Sequence, residues 1–318
     1  MAIIGNNIEK AVQLLREGEL VAIPTETVYG LAANALDEKA VLKVFSTKER
    51  PAFDPLIIHV HALDEIEKYA EAIPEKLMPL AKKFWPGPLT LLLSKKEIVP
   101  DIVTSGLPQV AVRIPDHPIT LALLKEINLP LAAPSANPFG YISPTDSTHV
   151  DQQLGSKIKY ILDGGPCKVG LESTIVGIEN NEVVIHRLGG ISIENIEREV
   201  GKVKLNVNLS GNPKAPGQLK SHYAPRKPLY VGDIGELIKI HGGKKTSLIL
   251  FGNMDVQINS VKTYQLSSSS NTYEAALRLF KILHDADADA SEIVLAPVLP
   301  ATGLGPAIND RLKRASVH

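Results

Sequence analysis

The chain is 318 residues long and 44% hydrophobic, with a formal net charge of −1 and a mean hydropathy of +0.04. That is ample for one large domain or two moderate ones, and the near-neutral charge gives no electrostatic footprint for nucleic acid or acidic membranes. A single cysteine, Cys167, excludes a disulfide framework and a multi-cysteine zinc site; no secretory pattern opens the chain and no apolar run approaches the ~20 residues of a membrane span, so a soluble, cytoplasmic protein is expected.

Taken in order, Asn7 caps a helix whose stripe is Ile8, Val12 and Leu15, closed by Gly18. Residues 20–23 read as a buried strand. It runs into Pro24-Thr25-Glu26-Thr27-Val28-Tyr29-Gly30, a polar shelf at a strand's end, where open α/β sheets bind ligands. Asp37 caps a second helix with Val41, Val44 and Phe45 on one side. Residues 56–60 read as a strand, 63–70 and 74–84 as helices, 89–93 and 110–114 as strands, 117–127 as a helix and 131–133 as a strand. Strands at 158–162, 173–178 and 183–186 follow. Strands that interleave with helices early and crowd together late imply a mixed α/β sheet.

The stretch 206–227 differs. It is rich in Asn, Gly and Pro, has no acidic residue, and carries Lys214, Lys220, Arg226 and Lys227. Residues 1–205 hold 21 basic and 26 acidic groups, and residues 228–318 hold 9 of each, so a basic linker joins an acidic region to a balanced one. A loop of that length is either functional or a solvated tether. Beyond it come a strand at 247–251, a helix capped by Asn271 with Ala275, Leu279 and Leu283 in register, a strand at 293–296 and a helix within 304–314. This pattern implies a small parallel α/β domain. No GxGxxG opens it, so nucleotide binding is not expected there.

Polar sets recur at strand boundaries. Lys48 and Arg50 precede a Pro-fixed turn through Asp54 and can face one anion, although helix C-termini favour cations anyway. His59 lies in an apolar strand, as a core histidine or as a ligand. Arg113 sits inside another apolar run and needs an anionic partner, either a protein carboxylate or a substrate carboxylate. Ser135 and Asn137, with Ser143 downstream, suit phosphate or ribose, and they also make ordinary turns. Gly164-Gly165 leads to Glu172, Ser173 and Thr174, and Arg187 closes the hairpin that follows. Pro216-Gly217 and His222-Tyr223 lie in the linker. No nucleophile paired with histidine and no metal motif stands out. Anion binders outnumber acid–base groups, which suits phosphoryl or nucleotidyl transfer.

These sets (PTETVYGL after a strand, KxRP then PLxxH, VRxP, PSAN and STIV) occur in the order of the YrdC-like family, which the chain resembles over most of residues 5–200. PGQLKSHYAP in the linker and GLGPAINDRLKRA near the end resemble the long form of that family, which has an extra C-terminal domain. The resemblance implies a YrdC-like twisted mixed sheet with helices in 1–205, a linker at 206–227 that closes over the active site, and a small Rossmann-like α/β domain in 228–318. It implies a nucleotidyltransferase that turns L-threonine, bicarbonate and ATP into L-threonylcarbamoyladenylate, pyrophosphate and water. A separate threonylcarbamoyl transferase complex would then use the product to modify tRNA. Thr27, His59, Arg113, Ala133 and Ser173 would bind threonine. Lys48, Arg50, Asp54, Gln109, Ser135, Asn137, Ser143, Arg187 and Tyr223 would bind ATP. Lys48 and Arg50, with Mg2+, would offset charge at the reacting phosphate. Asp54 stands where many relatives carry Asn. A non-catalytic RNA-binding or ribosome-associated protein on the same fold is the alternative; the acidic first region argues against it, because such binding needs a basic footprint. A carbamoyl transferase of hydrogenase maturation would be much larger and carry paired CxxC motifs.

Overall fold

The computed structural model describes residues 1–207, 222–241, 243–254 and 261–316. The expected linker is therefore described only at its ends, and Lys214, Pro216-Gly217 and Lys220 lie outside the described residues. In chain order the first elements are β1 (Ile3–Gly5), α1 (Ile8–Arg16), β2 (Val21–Ile23), β3 (Gly30–Asn34), α2 (Glu38–Lys48), β4 (Ile57–His59), α3 (Met78–Phe84), β5 (Leu89–Ser94) and α4 (Asp101–Thr104). Then come β6 (Gln109–Arg113), α5 (Pro118–Ile127), β7 (Leu131–Ala132), α6 (Ser147–Leu154), β8 (Tyr160–Leu162), β9 (Thr174–Glu179), β10 (Glu182–Arg187), α7 (Ile193–Val200) and β11 (Lys204–Leu205). The remainder is β12 (Leu229–Gly232), α8 (Ile234–His241), β13 (Thr246–Phe251), β14 (Lys262–Ser267), α9 (Thr272–Ala288), β15 (Ile293–Pro297) and α10 (Gly305–Ala315).

The caps read from the sequence are in place. The Asn7 side chain accepts from the Lys10 N–H at 2.8 Å, that of Asp37 from Lys39 at 2.9 Å, and that of Asn271 from Tyr273 at 2.8 Å. Residues 63–70 are a correction. Only Ile66–Lys68 coils, as a 3-10 turn, because the Glu71 N–H turns away to donate to the Ser94 carbonyl at 2.9 Å. The strand β3 escaped the sequence reading. Its residues Gly30, Leu31, Ala32, Ala33 and Asn34 are mostly small, poor strand formers by themselves, and ladders to β2 and β7 hold them. The run 24–29 is thus the connection of a β2–β3 hairpin.

Eleven strands make one mixed sheet, ordered β1-β8-β2-β3-β7-β4-β6-β5-β9-β10-β11. The other four make a parallel sheet, β12-β15-β13-β14. Strand alternation sorts the large sheet's residues onto its two faces. Ile58, Leu89, Leu91, Leu93, Val110 and Val112 enter the main core, which also takes Val41 and Val44 of α2 and Leu80 of α3. The alternate residues Ile57, Leu92 and Ala111 join Ile175 in a small patch on the other face. On that second face, Ala11 and Leu15 of α1 and Leu123 and Leu124 of α5 pack against Val21, Ile23 and Ala32. The neighbouring stretch over β4, β6, β5 and β9 carries the cavity described next. The core around α9 and α10 takes in Val28, Ile142 and Leu171 of the first region, so the two sheets dock through a shared apolar interior.

Candidate functional site

The cavity lies over the Ile57–Ala111–Ile175 patch. It is lined by nine of the sequence-predicted residues: Thr27, Arg50, His59, Arg113, Ala133, Ser135, Ser173, Arg187 and Tyr223. Glu172 and His222 also line it. The space open to the centre of a water molecule is ≈ 50 Å3, room for a handful of waters at ~10–15 Å3 each. His222 and Tyr223, from the described end of the linker, are buried at 6% and 1% exposure and line the cavity.

One wall comes from the hairpin connection and from the paired ends of β4 and β6, where His59 and Arg113 stand opposite each other in the ladder. Thr25 folds the connection. Its hydroxyl accepts from the N–H groups of Thr27 and Val28, both at 3.2 Å, and shares a hydrogen bond with the Thr27 hydroxyl at 2.7 Å. Tyr29 donates to the Gly165 carbonyl at 2.8 Å and accepts from the Gly164 N–H at 3.1 Å. Both residues serve the turn. Glu26 answers the question raised by Arg113: the two form a buried ion pair, Nη2 to Oε1 at 2.6 Å. The partner is thus a protein carboxylate. Arg113 Nε donates to the Gly87 carbonyl at 3.3 Å, and the guanidinium still faces the cavity. His59 is neutral. Burial, and then the Arg113 charge, push its pKa down to about 3.

A second wall is the loop after α2. Arg50 Nε donates to the Asp54 carbonyl at 3.1 Å and Nη2 to the Pro55 carbonyl at 2.9 Å, while Nη2 pairs with the Asp54 carboxylate at 2.8 Å. Asp54 is fully buried behind Arg50 and does not line the cavity. Lys48 does not line it either. Its ammonium donates to the carbonyls of Ser135 and Asn137, the latter at 2.6 Å. Burial, together with the Arg50 charge, holds its pKa well below the usual lysine value. The Asn137 amide closes its own turn, donating to the carbonyls of Pro138 at 2.9 Å and Tyr141 at 2.8 Å. Gln109 opens β6, four residues and ~13 Å of strand from Arg113, opposite Ser94 and away from the cavity.

The third wall joins Glu172, Ser173 and Arg187. A β-bulge between Ile185 and Arg187 re-aims the arginine. Its Nη2 donates to the Ser173 hydroxyl at 2.9 Å and its Nε to the Ser173 carbonyl at 3.0 Å. Gly189 permits this approach, since a Cβ there would sit 2.3 Å from the Glu172 carbonyl. The Thr90 hydroxyl, on the β5 residue facing the cavity side, meets the Ser173 hydroxyl at 2.7 Å. Ser143 lies behind the wall and donates to Glu172 at 2.7 Å. Tyr223 holds a left-handed φ of +67°, a conformation that a bulky side chain keeps only when its surroundings impose it. Thr90 and Arg311 escaped the sequence reading, and Glu172 and His222 are named there among the polar sets without a role. Thr90 had a signal, a lone hydroxyl inside the apolar run Leu89–Leu93.

Comparison with known proteins agrees with this architecture. A family model described as Sua5/YciO/YrdC, telomere recombination, matches residues 13–189, and one described as the threonylcarbamoyl-AMP synthase C-terminal domain matches residues 191–317. The threonylcarbamoyl-AMP synthase of Pyrococcus abyssi is 42% identical, covering 97% of this chain and 94% of its own length. That of Bacillus subtilis is 39% identical, covering 97% and 92%. The crystal structure of P. abyssi Sua5 complexed with L-threonine superposes with a TM-score of 0.91 at 40% identity, over 99% of this chain and 97% of that one. The chain therefore belongs to the threonylcarbamoyl-AMP synthase family, in the form that carries the additional C-terminal domain.

Proposed function

We propose that this chain is a cytoplasmic nucleotidyltransferase that makes L-threonylcarbamoyladenylate from L-threonine, bicarbonate and ATP, with release of pyrophosphate and water. One observation carries the reading: Arg50, Arg113 and Arg187 converge with the Thr27 and Ser173 residues on a single cavity. Three guanidiniums suit a pair of substrates that bring a carboxylate and a triphosphate. Threonine occupies the wall of Thr27, His59, Arg113, Ala133 and Ser173, with its carboxylate on Arg113 beside the Glu26 pair. ATP runs along Arg50, Ser135 and Arg187, and Tyr223 closes on it.

The threonine amine captures bicarbonate-derived CO2 as a carbamate. A carbamate oxygen attacks the α-phosphorus and pyrophosphate leaves. Arg50 and Arg187 offset the charge that builds on the phosphoryl oxygens. Lys48 acts at one remove, holding the carbonyls of Ser135 and Asn137. The carboxylates around the site are each held by an arginine: Glu26 by Arg113, Asp54 by Arg50, Glu172 by Arg311. Among the described residues no group of three His, Cys, Asp or Glu side chains could cage a metal. Mg2+ arriving with ATP would supply charge neutralisation at the triphosphate, which Arg50 and Arg187 would share. The described end of the linker, His222-Tyr223, would serve as the lid: a mixed anhydride is labile, and a closed mouth would keep water from it. The product passes to a separate transferase that acts on tRNA. Pyrophosphate release from the purified chain, with threonine and bicarbonate each omitted in turn, tests the reading. Release that ignores threonine overturns it.

A further inference from the structure

Helix α10 carries two buried arginines, Arg311 and Arg314, both beside the Tyr223 ring, and Arg311 lies on its apolar stripe. Leu304, Ile308, Leu312 and Ala315 recur at helical spacing and are buried, and Arg311 falls between them at 0% exposure. A charge placed there needs a dedicated partner. Arg311 finds it across the domain boundary: Nε and Nη2 donate to one oxygen of Glu172 at 3.1 and 3.0 Å. The other Glu172 oxygen accepts from Ser143 at 2.7 Å. Arg311 Nη1 is steadied by Asp310 at 3.1 Å. The same guanidinium lies 5.4 Å from the centroid of the Tyr223 ring. That ring also stacks on Phe280 of α9, with centroids 5.5 Å apart and planes 30° apart.

Glu172 is a carboxylate on the wall of a cavity read as the seat of a triphosphate. Left uncompensated, it would repel the nucleotide. Burial alone would raise its pKa and neutralise it, but the charges of Arg311 and Arg187 hold it below the usual carboxylate value, so it stays ionised and paired. We propose that Arg311 is a positioning residue of the ATP site. It neutralises Glu172 and braces Tyr223, and through it the C-terminal domain sets the affinity of the catalytic cavity for nucleotide. The proposal rests on the reading of this cavity as the ATP site. It assigns the C-terminal domain an electrostatic part in catalysis without a ligand of its own.

Equilibrium dialysis with ATP, alongside steady-state kinetics with threonine and ATP varied separately, tests it. Arg311→Met keeps the side-chain length and removes the charge. It should weaken ATP binding roughly 10- to 100-fold, the scale of one uncompensated charge at an effective dielectric of ~20, and leave the threonine KM within about threefold. Adding Glu172→Gln to Arg311→Met should restore most of the ATP affinity. Because the same change also relieves a stranded buried charge, the dialysis is done below the melting point of every variant, where a merely structural loss would leave ATP binding of Arg311→Met unchanged. Glu172→Gln alone should melt earlier yet bind ATP at least as well as the parent, so it decides the matter if Arg311→Met does not fold. Unchanged ATP binding in Arg311→Met, no recovery in the double variant, or weaker ATP binding in Glu172→Gln each overturns the proposal. Failure of the parent chain to bind ATP sinks the reading of the cavity instead.

Discussion

The floor and the cover of the cavity are held in different ways. The floor is a set of ladders: His59 opposite Arg113, Leu91 opposite Val112 and Leu89 opposite Thr174. Its side chains are aimed by strand alternation, and its backbone bonds open only with the sheet. The cover is His222-Tyr223 with α9 and α10. It packs over the apolar interior shared with Val28, Ile142 and Leu171, and a backbone bond runs from the Ala224 N–H to the Gly140 carbonyl at 2.8 Å. Its polar ties are Arg311 on Glu172, Tyr141 on Asp287 and His284 on His149, with α9 against Gly170. Those ties can be released one at a time. The wall proposed for threonine should therefore survive changes that release the cover, and the wall proposed for the nucleotide, which includes Tyr223, should not.

The largest effect is expected from damage to the floor. Arg113→Ala removes one half of a buried ion pair and strands Glu26, a loss of about 3–5 kcal/mol. It should also raise the threonine requirement far more than the ATP requirement. Adding Glu26→Gln should return most of the stability and none of the threonine affinity. Thermal melts read the first effect and KM values for each substrate read the second. An equal rise in both KM values sinks the carboxylate assignment.

Releasing the cover comes next. Gly170 has φ +76°, and a Cβ there would lie 2.5 Å from the Ala276 carbonyl oxygen and 2.6 Å from Leu277 Cα, both backbone atoms of α9. Gly170→Ala must push α9 away, at ~2 kcal/mol or more from strain and overlap together. Since Gly170 lies two residues before Glu172, the expected result is weaker ATP binding and faster loss of product to water, with threonine binding kept. Calorimetry and dialysis separate these effects. A variant that loses threonine and ATP affinity together would mean that floor and cover are one cooperative unit.

The sequence located the cavity better than it located the atoms inside it. The polar sets, where their residues are described, fall on loops and strand ends that do converge, because turn chemistry and apolar runs fix where a chain leaves a sheet. Whether a polar group then faces the cavity depends on which nearby carbonyls lack a donor, and spacing does not carry that. Lys48, Asn137 and Ser143 are taken up by Ser135, Tyr141 and Glu172. Gln109 shares a strand with Arg113 but opens the other end of it. Arg311 was legible in principle, as a charge in the apolar register of a terminal helix, but its partner lies 139 positions away. Only the docking of the two sheets brings them together.

A smaller change refines the floor without breaking it. Thr90→Val keeps the shape of the side chain and removes the hydroxyl that meets Ser173. Ser173 then relies on Arg187 alone. The cost should be ~1 kcal/mol, read as a three- to tenfold fall in kcat/KM with ATP binding unchanged. A loss confined to ATP would move Ser173 to the nucleotide wall.

The smallest effect is a pH dependence of the cover. His284 of α9 stacks on His149 of α6, with ring centroids 4.0 Å apart, and its Nε2 lies 3.2 Å from the Ser143 carbonyl. Burial, then the neighbouring His149, lowers the His284 pKa to about 4, and burial also lowers that of His149. An undocked histidine titrates near 6.5, so between about 4 and 6.5 the open form binds more protons than the closed one. The cover must therefore weaken as pH falls through that window and be indifferent to pH above it. At pH 6 the His284 share is below ~1 kcal/mol, a modest shift that hydrogen exchange in α9 can read. His284→Gln, which can still donate to Ser143 but cannot titrate, should make the profile of α9 shallower, with His149 and the buried His222 supplying the remaining slope, and leave the exchange of β4 and β6 as it was. The same slope in the variant would move the titration elsewhere. The strands carry a slope of their own, because the His59 pKa of about 3 also lies below the free value; a strand slope that changes in His284→Gln would mean that floor and cover titrate as one unit, and their separation would not hold.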